Sequence, residues 1–202
     1  HGQKTIYKLN MKKNEIISTL EETGAIQHGH FILSSGKRSA TYCQCAKLFI
    51  LPEIAEKICI ELANKVLNAI DRKIDYIVAP AMGGILVGYE LARQLKAKSI
   101  FYERVDNVFK LRRGFEIQAG ANVLLVEDVI TTGKSANECI HELNKIGVNL
   151  LAVACLIDRT NSESAIKKPI SIYELDIPIY DENSLPDELK VIDPIKPGSR
   201  VI

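Results

Sequence analysis

Residues 123–135 read VLLVEDVITTGKS, and this run joins a strand pattern to the start of a helix. Its apolar beginning is typical of a buried strand, which ends at the acid pair Glu127 and Asp128. Hydroxyl and main-chain N–H groups at the start of a helix donate hydrogen bonds to a phosphate, and the helix dipole favours its negative charge. An ordinary loop with two capping acids is the alternative. The run therefore predicts two carboxylates at a strand end and then a phosphate-binding loop of Thr131, Thr132, Gly133, Lys134 and Ser135.

Short apolar runs and helical patterns alternate on both sides of this motif. Continuously apolar strands separated by helices indicate an α/β fold with a mainly parallel sheet and helices on both faces. Ligands bind beyond the carboxyl ends of the strands in such sheets, so we expect the functional residues in the loops that follow the strands. The predicted strands are 76–80, 99–102, 123–127 and 150–157, the predicted helices are 14–24, 52–70, 84–95 and 135–146, and an irregular tail is predicted for 186–202.

The composition limits the class of protein and its partners. With 202 residues, 47% of them hydrophobic, the chain can form a single domain over 1–202, and no linker divides it. Its 26 basic and 25 acidic residues nearly cancel, so no general attraction for nucleic acid or for a membrane surface is expected. Five cysteines without framework spacing favour reduced thiols, and the N-terminal residues lack the apolar core of a signal peptide. We therefore expect a cytoplasmic protein, with Met11 as a candidate for the natural first residue.

A second candidate loop lies between the strand at 76–80 and the helix at 84–95. Its main-chain N–H groups could surround an anion. A tight turn that needs its glycines only for backbone shape is the alternative, and the sequence alone does not choose between the two. The residues of this loop are Ala81, Met82, Gly83 and Gly84.

The run at 123–135 resembles the phosphoribosyl pyrophosphate (PRPP) signature of the type I phosphoribosyltransferases, and it lacks the spacing of a Walker A loop. The resemblance implies that Glu127 and Asp128 hold the ribose and that the loop at 81–84 holds the pyrophosphate. Some orotate-specific members carry a lysine where Gly83 stands. Mg²⁺ would be bound mainly by PRPP and water, with Asp128 as a candidate ligand.

The same resemblance implies the type I phosphoribosyltransferase fold. In this fold a core of mainly parallel sheet flanked by helices binds PRPP, and a small N-terminal hood covers it. In this chain the core would extend over about 51–175. The hood would be formed by about 14–50 together with the C-terminal segment.

A polar segment with four basic residues separates the strands at 99–102 and 123–127. A solvated loop is the usual explanation for such a run of charges. In the family that the chain resembles, a flexible basic loop lies here, closes over the leaving pyrophosphate and, in orotate enzymes, reaches into the neighbouring subunit of a homodimer. The implied catalytic residues are Arg104, Lys110, Arg112, Arg113 and Asp128.

The run FILSSGKRS, residues 31–39, resembles a segment of orotate phosphoribosyltransferases, although Ser34 and Ala40 replace a common lysine and proline. A β-hairpin with an ordinary turn is the alternative. Orotate is a planar monoanion, so its site needs an aromatic or apolar face and cationic or N–H donors. The residues implied for orotate binding are Phe31, Ser35, Gly36, Lys37, Thr131 and Arg159.

The implied reaction transfers the phosphoribosyl group of PRPP to orotate and gives orotidine 5′-monophosphate and pyrophosphate, a step of pyrimidine biosynthesis. A phosphoribosyltransferase for another base and a non-catalytic PRPP-sensing regulator are the alternatives. A zinc site is disfavoured because the spacing of its candidate ligands does not match the usual zinc motifs. Those candidates are His28, His30, Cys43 and Cys45.

Overall fold

A computed structural model describes residues 10–33 and 35–197 of the chain. The expectations for the residues before position 10, for Ser34 and for 198–202 lie outside this part. The helices are α1 (Lys13–Glu22), α2 (Pro52–Ala69), α3 (Gly84–Leu95), α4 (Lys134–Ile146) and α5 (Asp187–Lys190). The strands are β1 (Ile26–Ile32), β2 (Arg38–Cys43), β3 (Tyr76–Pro80), β4 (Lys98–Val105), β5 (Val108–Leu111), β6 (Asn122–Ile130), β7 (Asn149–Asp158), β8 (Ile170–Glu174) and β9 (Ile179–Tyr180).

The larger sheet has the strand order β5-β4-β3-β6-β7-β8, and β5 alone runs antiparallel to its neighbour. Its central strands are buried on both faces, and Val123, Leu124, Leu125 and Val126 are fully buried. One hydrophobic cluster lies between the sheet and α2 and α3, and a second lies under α4. The predicted α/β fold with a mainly parallel sheet is confirmed.

Helix α3 lies unusually close to β3 because its first two turns contain glycines. A β-carbon added at Gly84 would lie 2.9 Å from the carbonyl oxygen of Val126, and one added at Gly88 would lie 3.0 Å from the β-carbon of Ala79. Larger residues would push the helix away from the sheet. The close packing brings the start of α3 to the carboxyl ends of β3 and β6, where ligands bind in parallel sheets.

A smaller sheet contains the hairpin β1–β2 and the short C-terminal strand β9. Beyond β9 the chain forms α5 and then returns to β1, where Ile195 pairs with Phe31. The prediction of an irregular tail is wrong for Asp187–Lys190, which forms a short helix that buries Leu189, and for Ile195, which pairs with Phe31; the other residues of 186–197 have no regular secondary structure.

Two further boundaries differ from the prediction. Strand β6 does not end at Asp128 but continues to Ile130, because its pairing with β7 extends that far. The polar segment after Tyr102 is not a solvated loop over its first half. It forms the hairpin β4–β5, whose turn residues Asp106 and Asn107 both adopt left-handed backbone angles, as a tight hairpin turn requires. In the part of the chain that the structure describes, no helix has the length and apolar character needed to cross a bilayer.

Candidate active site

The candidate site is a cavity of about 300 Å³ at the carboxyl ends of β3 and β6. The walls are two loops, the one after β3 and the one that joins β6 to α4. Predicted residues that line it are Ala81, Gly83, Glu127, Asp128, Thr131, Thr132, Gly133, Lys134 and Ser135. Two other residues predicted for this site, Met82 and Gly84, do not line the cavity. Met82 is 83% exposed, and Gly84 is the buried first residue of α3.

The acid pair lies deep in this cavity. Glu127 is 9% exposed, and burial, followed by the neighbouring charge of Asp128, raises its pKa to about 8. Burial also raises the pKa of Asp128, although the N–H of Val129 donates a hydrogen bond of 2.9 Å to its Oδ1. Desolvation disfavours the charged form of a carboxyl group, so both acids hold a proton more strongly than free acids do. The pair is therefore less negative than two free acids, which suits a site for a phosphorylated sugar.

The loop after β3 is fixed against both of its neighbouring strands. The N–H of Ala81 donates to the carbonyl of Tyr102 at 2.8 Å, and the Ala81–Met82 peptide bond is cis. Gly83 has ordinary helical angles, so it does not serve to reach a left-handed conformation. Instead, a β-carbon added there would lie 2.6–2.8 Å from the carboxylate of Asp128. The glycine is needed for a close approach, and a lysine at this position would displace that carboxylate.

The phosphate loop turns at Gly133, whose φ of 71° is accessible to glycine and rare for other residues. A β-carbon there would also lie 2.8 Å from the backbone nitrogen of Ile166. The turn leaves the first N–H groups of α4 at the cavity, together with the hydroxyls of Thr131 and Ser135. This arrangement provides the donors and the positive helix end that a phosphate requires.

The segment that follows β7 packs against this loop. The Arg159 N–H donates to the carbonyl of Ile130 at 2.8 Å, and the Ala165 N–H donates to the carbonyl of Thr132 at 2.8 Å. The hydroxyl of Ser164 donates to the carbonyl of Thr131 at 2.5 Å. Two hydrogen bonds thus fix the phosphate loop to the segment that begins at Arg159, and a third fixes this segment to the last residue of β6.

Arg159 lies where β7 meets the end of β2. Burial raises the pKa of the Cys43 thiol, and the adjacent guanidinium of Arg159 partly offsets this shift. The Nε of Arg159 is buried and has no hydrogen-bond partner among the described residues. Burial, followed by the charges of Cys43 and Asp128, raises the pKa of Tyr42. Tyr42 and Cys43 therefore belong to the same region as Arg159 and Asp128, although the motif analysis assigned them no role.

The residues of the β1–β2 hairpin that were predicted to bind orotate do not line the cavity. Phe31 is 4% exposed and packs against Tyr42, with ring centroids 5.6 Å apart. Phe31 is therefore buried, and the half-buried ring of Tyr42 is the more accessible of the two; a role of Phe31 in orotate binding stays a prediction. The exposed turn holds Ser35, Gly36 and Lys37, which do not line the cavity.

The four basic candidates do not line the cavity either. Arg104 stacks on Phe109 at 4.1 Å and donates to Glu138 of α4. The other two arginines both pair with one acid: Arg113 donates to Glu103 at 2.6 Å, and Arg112 lies 3.7 Å from it. Lys110 is exposed on β5. The three arginines are thus held by acidic residues, and the catalytic role of all four basic residues stays a prediction.

Comparison with known proteins agrees with this geometry. A family model described as the phosphoribosyl transferase domain matches residues 50–184. The chain belongs to this family. The matched range contains the cavity, the basic hairpin and Arg159, whereas the β1–β2 hairpin lies before it.

The chain is also similar to named proteins of known sequence and to solved structures. The chain is 44% identical over 191 residues to the orotate phosphoribosyltransferase of Maricaulis maris (strain MCS10). This alignment covers 94% of this chain and 98% of that protein. It is 46% identical over 194 residues to the orotate phosphoribosyltransferase of Methylorubrum extorquens (strain PA1), with 95% and 98% covered. The crystal structure of orotate phosphoribosyltransferase from Aeropyrum pernix superposes with a TM-score of 0.63 at 23% identity over 79% of this chain and 93% of that one. That structure supports the phosphoribosyl transferase fold.

The donor set at the site fits the magnesium that this family is expected to use. Two adjacent carboxylates line the cavity, and Mg²⁺ prefers oxygen ligands. Over 10–33 and 35–197, no group of three or more His, Cys, Asp or Glu side chains could hold a metal ion. The acid pair can therefore supply only part of a coordination sphere, which is the arrangement expected when a phosphorylated substrate supplies the rest.

The two histidines considered as zinc ligands have other partners. A ring nitrogen of His28 lies 2.9 Å from the carboxylate of Glu21, and one of His30 lies 2.9 Å from the carbonyl oxygen of Ile192.

Proposed function

We propose that the chain transfers the phosphoribosyl group of PRPP to orotate, which gives orotidine 5′-monophosphate and pyrophosphate. The observation that carries this proposal is the cavity in which an acid pair, a phosphate loop and the Gly83 loop meet. Its relatives of 44–46% identity over nearly the whole chain, which are named orotate phosphoribosyltransferase, support orotate as the acceptor.

Each part of PRPP has a complementary surface in this cavity. The start of α4, with Thr131, Thr132 and Ser135, would hold the 5′-phosphate. Glu127 and Asp128 would accept hydrogen bonds from the ribose hydroxyls, and Glu127 in its protonated form can also donate one. The main chain at Ala81 and Gly83 would hold the pyrophosphate.

A magnesium ion would enter with the substrate. Asp128 is the protein group best placed to contact it, and the remaining ligands would be PRPP oxygens and water. When bound, the ion supplies positive charge that stabilises the leaving pyrophosphate. The protein contributes position: the acid pair and the phosphate loop fix the ribose so that its anomeric carbon faces the base.

Orotate would bind between the end of β2 and Arg159. A planar guanidinium can form paired hydrogen bonds with a carboxylate or with the imide oxygens, and the buried Nε of Arg159 lacks a partner in the described chain. The half-buried ring of Tyr42 offers an aromatic face in the same region. Ser35, Gly36 and Lys37 would approach from the turn when the hood closes.

We propose that the protein is a homodimer in which α3 forms part of the interface. Leu86 and Tyr89, 49% and 62% exposed, lie three residues apart on one side of α3, and Met82, 83% exposed, lies just before the helix; we name these three residues the exposed stripe of α3. A second copy of the chain would cover this stripe. The exposed basic hairpin could then act at the partner's cavity, where Lys110 would stabilise the departing pyrophosphate and exclude water.

A cytoplasmic location is the compartment we propose. All five cysteines are free, and Cys45, Cys59, Cys139 and Cys155 are buried. Reduced thiols of this kind are usual in reducing compartments.

The direct test is a base-specificity assay. The protein with PRPP and Mg²⁺ is incubated separately with orotate, adenine and hypoxanthine, and nucleotide formation is followed by chromatography. We expect orotidine 5′-monophosphate only. Turnover with a purine and none with orotate would contradict the proposal, and PRPP binding without turnover on any base would favour a regulator. Asp128→Asn serves as the inactive control.

A further inference from the structure

The C-terminal segment holds both strands of the β1–β2 hairpin. We name residues 179–195 the C-terminal clasp. Its strand β9 pairs with β2 at Arg38 and Ser39. Its far end pairs with β1: the Ile32 N–H donates to the carbonyl of Ile195 at 2.8 Å, and the Ile195 N–H donates to the carbonyl of His30 at 2.8 Å. The turn between the two strands is therefore fixed on both sides by backbone pairing.

Two ion pairs join the clasp to this turn: an exposed one between Lys37 and Asp181 at 3.6 Å, and one at the base of the turn between Arg38 and Glu182. Arg38 is 7% exposed, and its Nη2 donates to Oε1 of Glu182. The Nε of Arg38 is buried and has no hydrogen-bond partner among the described residues. Without Glu182, whose own side chain is 71% exposed, the buried guanidinium would lose this charge partner, so Arg38 would move towards water. Since Arg38 begins β2, such a movement would displace the adjacent turn.

Strand β2 connects this ion pair to the proposed acceptor site. Arg38 stands at one end of the strand, and Cys43, which contacts Arg159, stands at the other. Strand β2 is hydrogen-bonded to β1 and, at Arg38 and Ser39, to β9, so a displacement of Arg38 would be passed along this paired strand towards Cys43 and Arg159. The clasp is thus placed to set the geometry of orotate binding without touching the PRPP cavity, none of whose lining residues belongs to it.

We propose that Glu182 is a positioning residue for the acceptor: through Arg38 it holds the β1–β2 hairpin where orotate binds. This inference rests on the proposed function. It goes beyond that function because it predicts different effects on the binding of orotate and of PRPP. Loss of Glu182 weakens orotate binding and leaves PRPP binding intact.

The test compares Glu182→Gln with Asp187→Asn. The control removes another ion pair of the same clasp, between Lys190 and Asp187 at 2.7 Å, which does not contact the hairpin. We expect Glu182→Gln to raise the KM for orotate about 3- to 10-fold, with the KM for PRPP and kcat within about 2-fold of the wild type. Glu182→Asp, which keeps the charge, should recover part of the difference, and Asp187→Asn should behave as the wild type.

Hydrogen exchange provides a readout that does not depend on activity. The amides of 31–39 should exchange faster in Glu182→Gln than in the wild type or in Asp187→Asn, while the amides of α4 remain unchanged. Unchanged exchange at 31–39, or a rise of both KM values together, would overturn the inference. A wild type that does not convert orotate would overturn the proposed function instead, and the exchange comparison would still decide whether Glu182 holds the hairpin.

Discussion

The carboxylate of Asp128 lies against the α-carbon of Gly83, so close that a β-carbon there would be 2.6 Å from Oδ2. The contact joins the strand end that would hold the ribose to the loop that would hold the pyrophosphate. No side chain fits between them without movement. The two halves of the PRPP site therefore share one boundary.

Gly83→Ala should disturb this boundary directly. The added methyl would push the Asp128 carboxylate out of place, and we expect kcat/KM for PRPP to fall about 10- to 100-fold. Gly88→Ala in α3 controls for displacement of the helix, because it crowds Ala79 at 3.0 Å and does not touch the carboxylate; the loss in Gly83→Ala should exceed the loss in Gly88→Ala. Steady-state kinetics with varied PRPP make the comparison. Equal kinetics for Gly83→Ala and the wild type would show that the contact has no catalytic consequence.

Glu127 should make the stability of the protein depend on pH. Its pKa is about 8 in the folded chain and 4.5 ordinarily, so between these values the folded state binds more protons than the unfolded state. Stability is therefore lost as pH rises through this window. We expect the free energy of unfolding to fall on the order of 1–3 kcal/mol between about pH 5 and pH 8.

Urea unfolding at several pH values measures this effect. Glu127→Gln should flatten the dependence, because the amide does not titrate, whereas Glu22→Gln on the exposed end of α1 should leave it unchanged. If the free energy of unfolding of Glu127→Gln depends on pH as strongly as that of the wild type, another group causes the dependence.

Lys110→Ala should slow turnover more than it weakens PRPP binding. Arg112 and Arg113 are held by Glu103, whereas Lys110 is exposed on β5 and is available to a leaving pyrophosphate. A cation that acts mainly in the transition state contributes to kcat, so we expect a loss of about 10- to 100-fold. Lys57→Ala on α2, also exposed, is the control. Wild-type kcat in Lys110→Ala would exclude this lysine as the decisive cation.

Tyr89→Glu should dissociate the proposed dimer. It would place a charge in the exposed stripe of α3, and a buried unpaired charge is costly at an interface. Val191→Glu is the control, since this residue is 85% exposed and lies on the C-terminal clasp. Sedimentation should show a monomer for Tyr89→Glu and a dimer for Val191→Glu. A wild type that sediments as a monomer would contradict the proposal outright.

Local patterns predicted the parts of the fold that local forces determine. The strand at 76–80 and the helix at 84–95 were predicted with the bounds that the structure shows. The strand is a continuous apolar run that ends at a turn, and the helix has its apolar residues at helical spacing. The helix before Gly24 ends as expected, with that glycine at a φ of 74°.

The errors arise where register or distant pairing decides. The pairing of β1 with β2 shifts register between His28 and Phe31, and this irregularity exchanges the faces that alternation would assign. Phe31 is therefore buried, and Tyr42 takes the accessible position. The clasp depends on pairs more than 140 residues apart in sequence, such as Arg38 with Glu182, which no local pattern can reveal.

Hydrogen bonds from Ser164 and Ala165 to the phosphate loop, and from Arg159 to the adjacent end of β6, connect the acceptor arginine to the phosphate loop. The two groups that would hold opposite ends of the product nucleotide are thus parts of one hydrogen-bonded unit. These bonds restrict how far the main chain at one end can move without the other. A change of base preference in this scaffold would therefore have to come from new side chains on the hood, because the distance from phosphate to base is already set by the main chain.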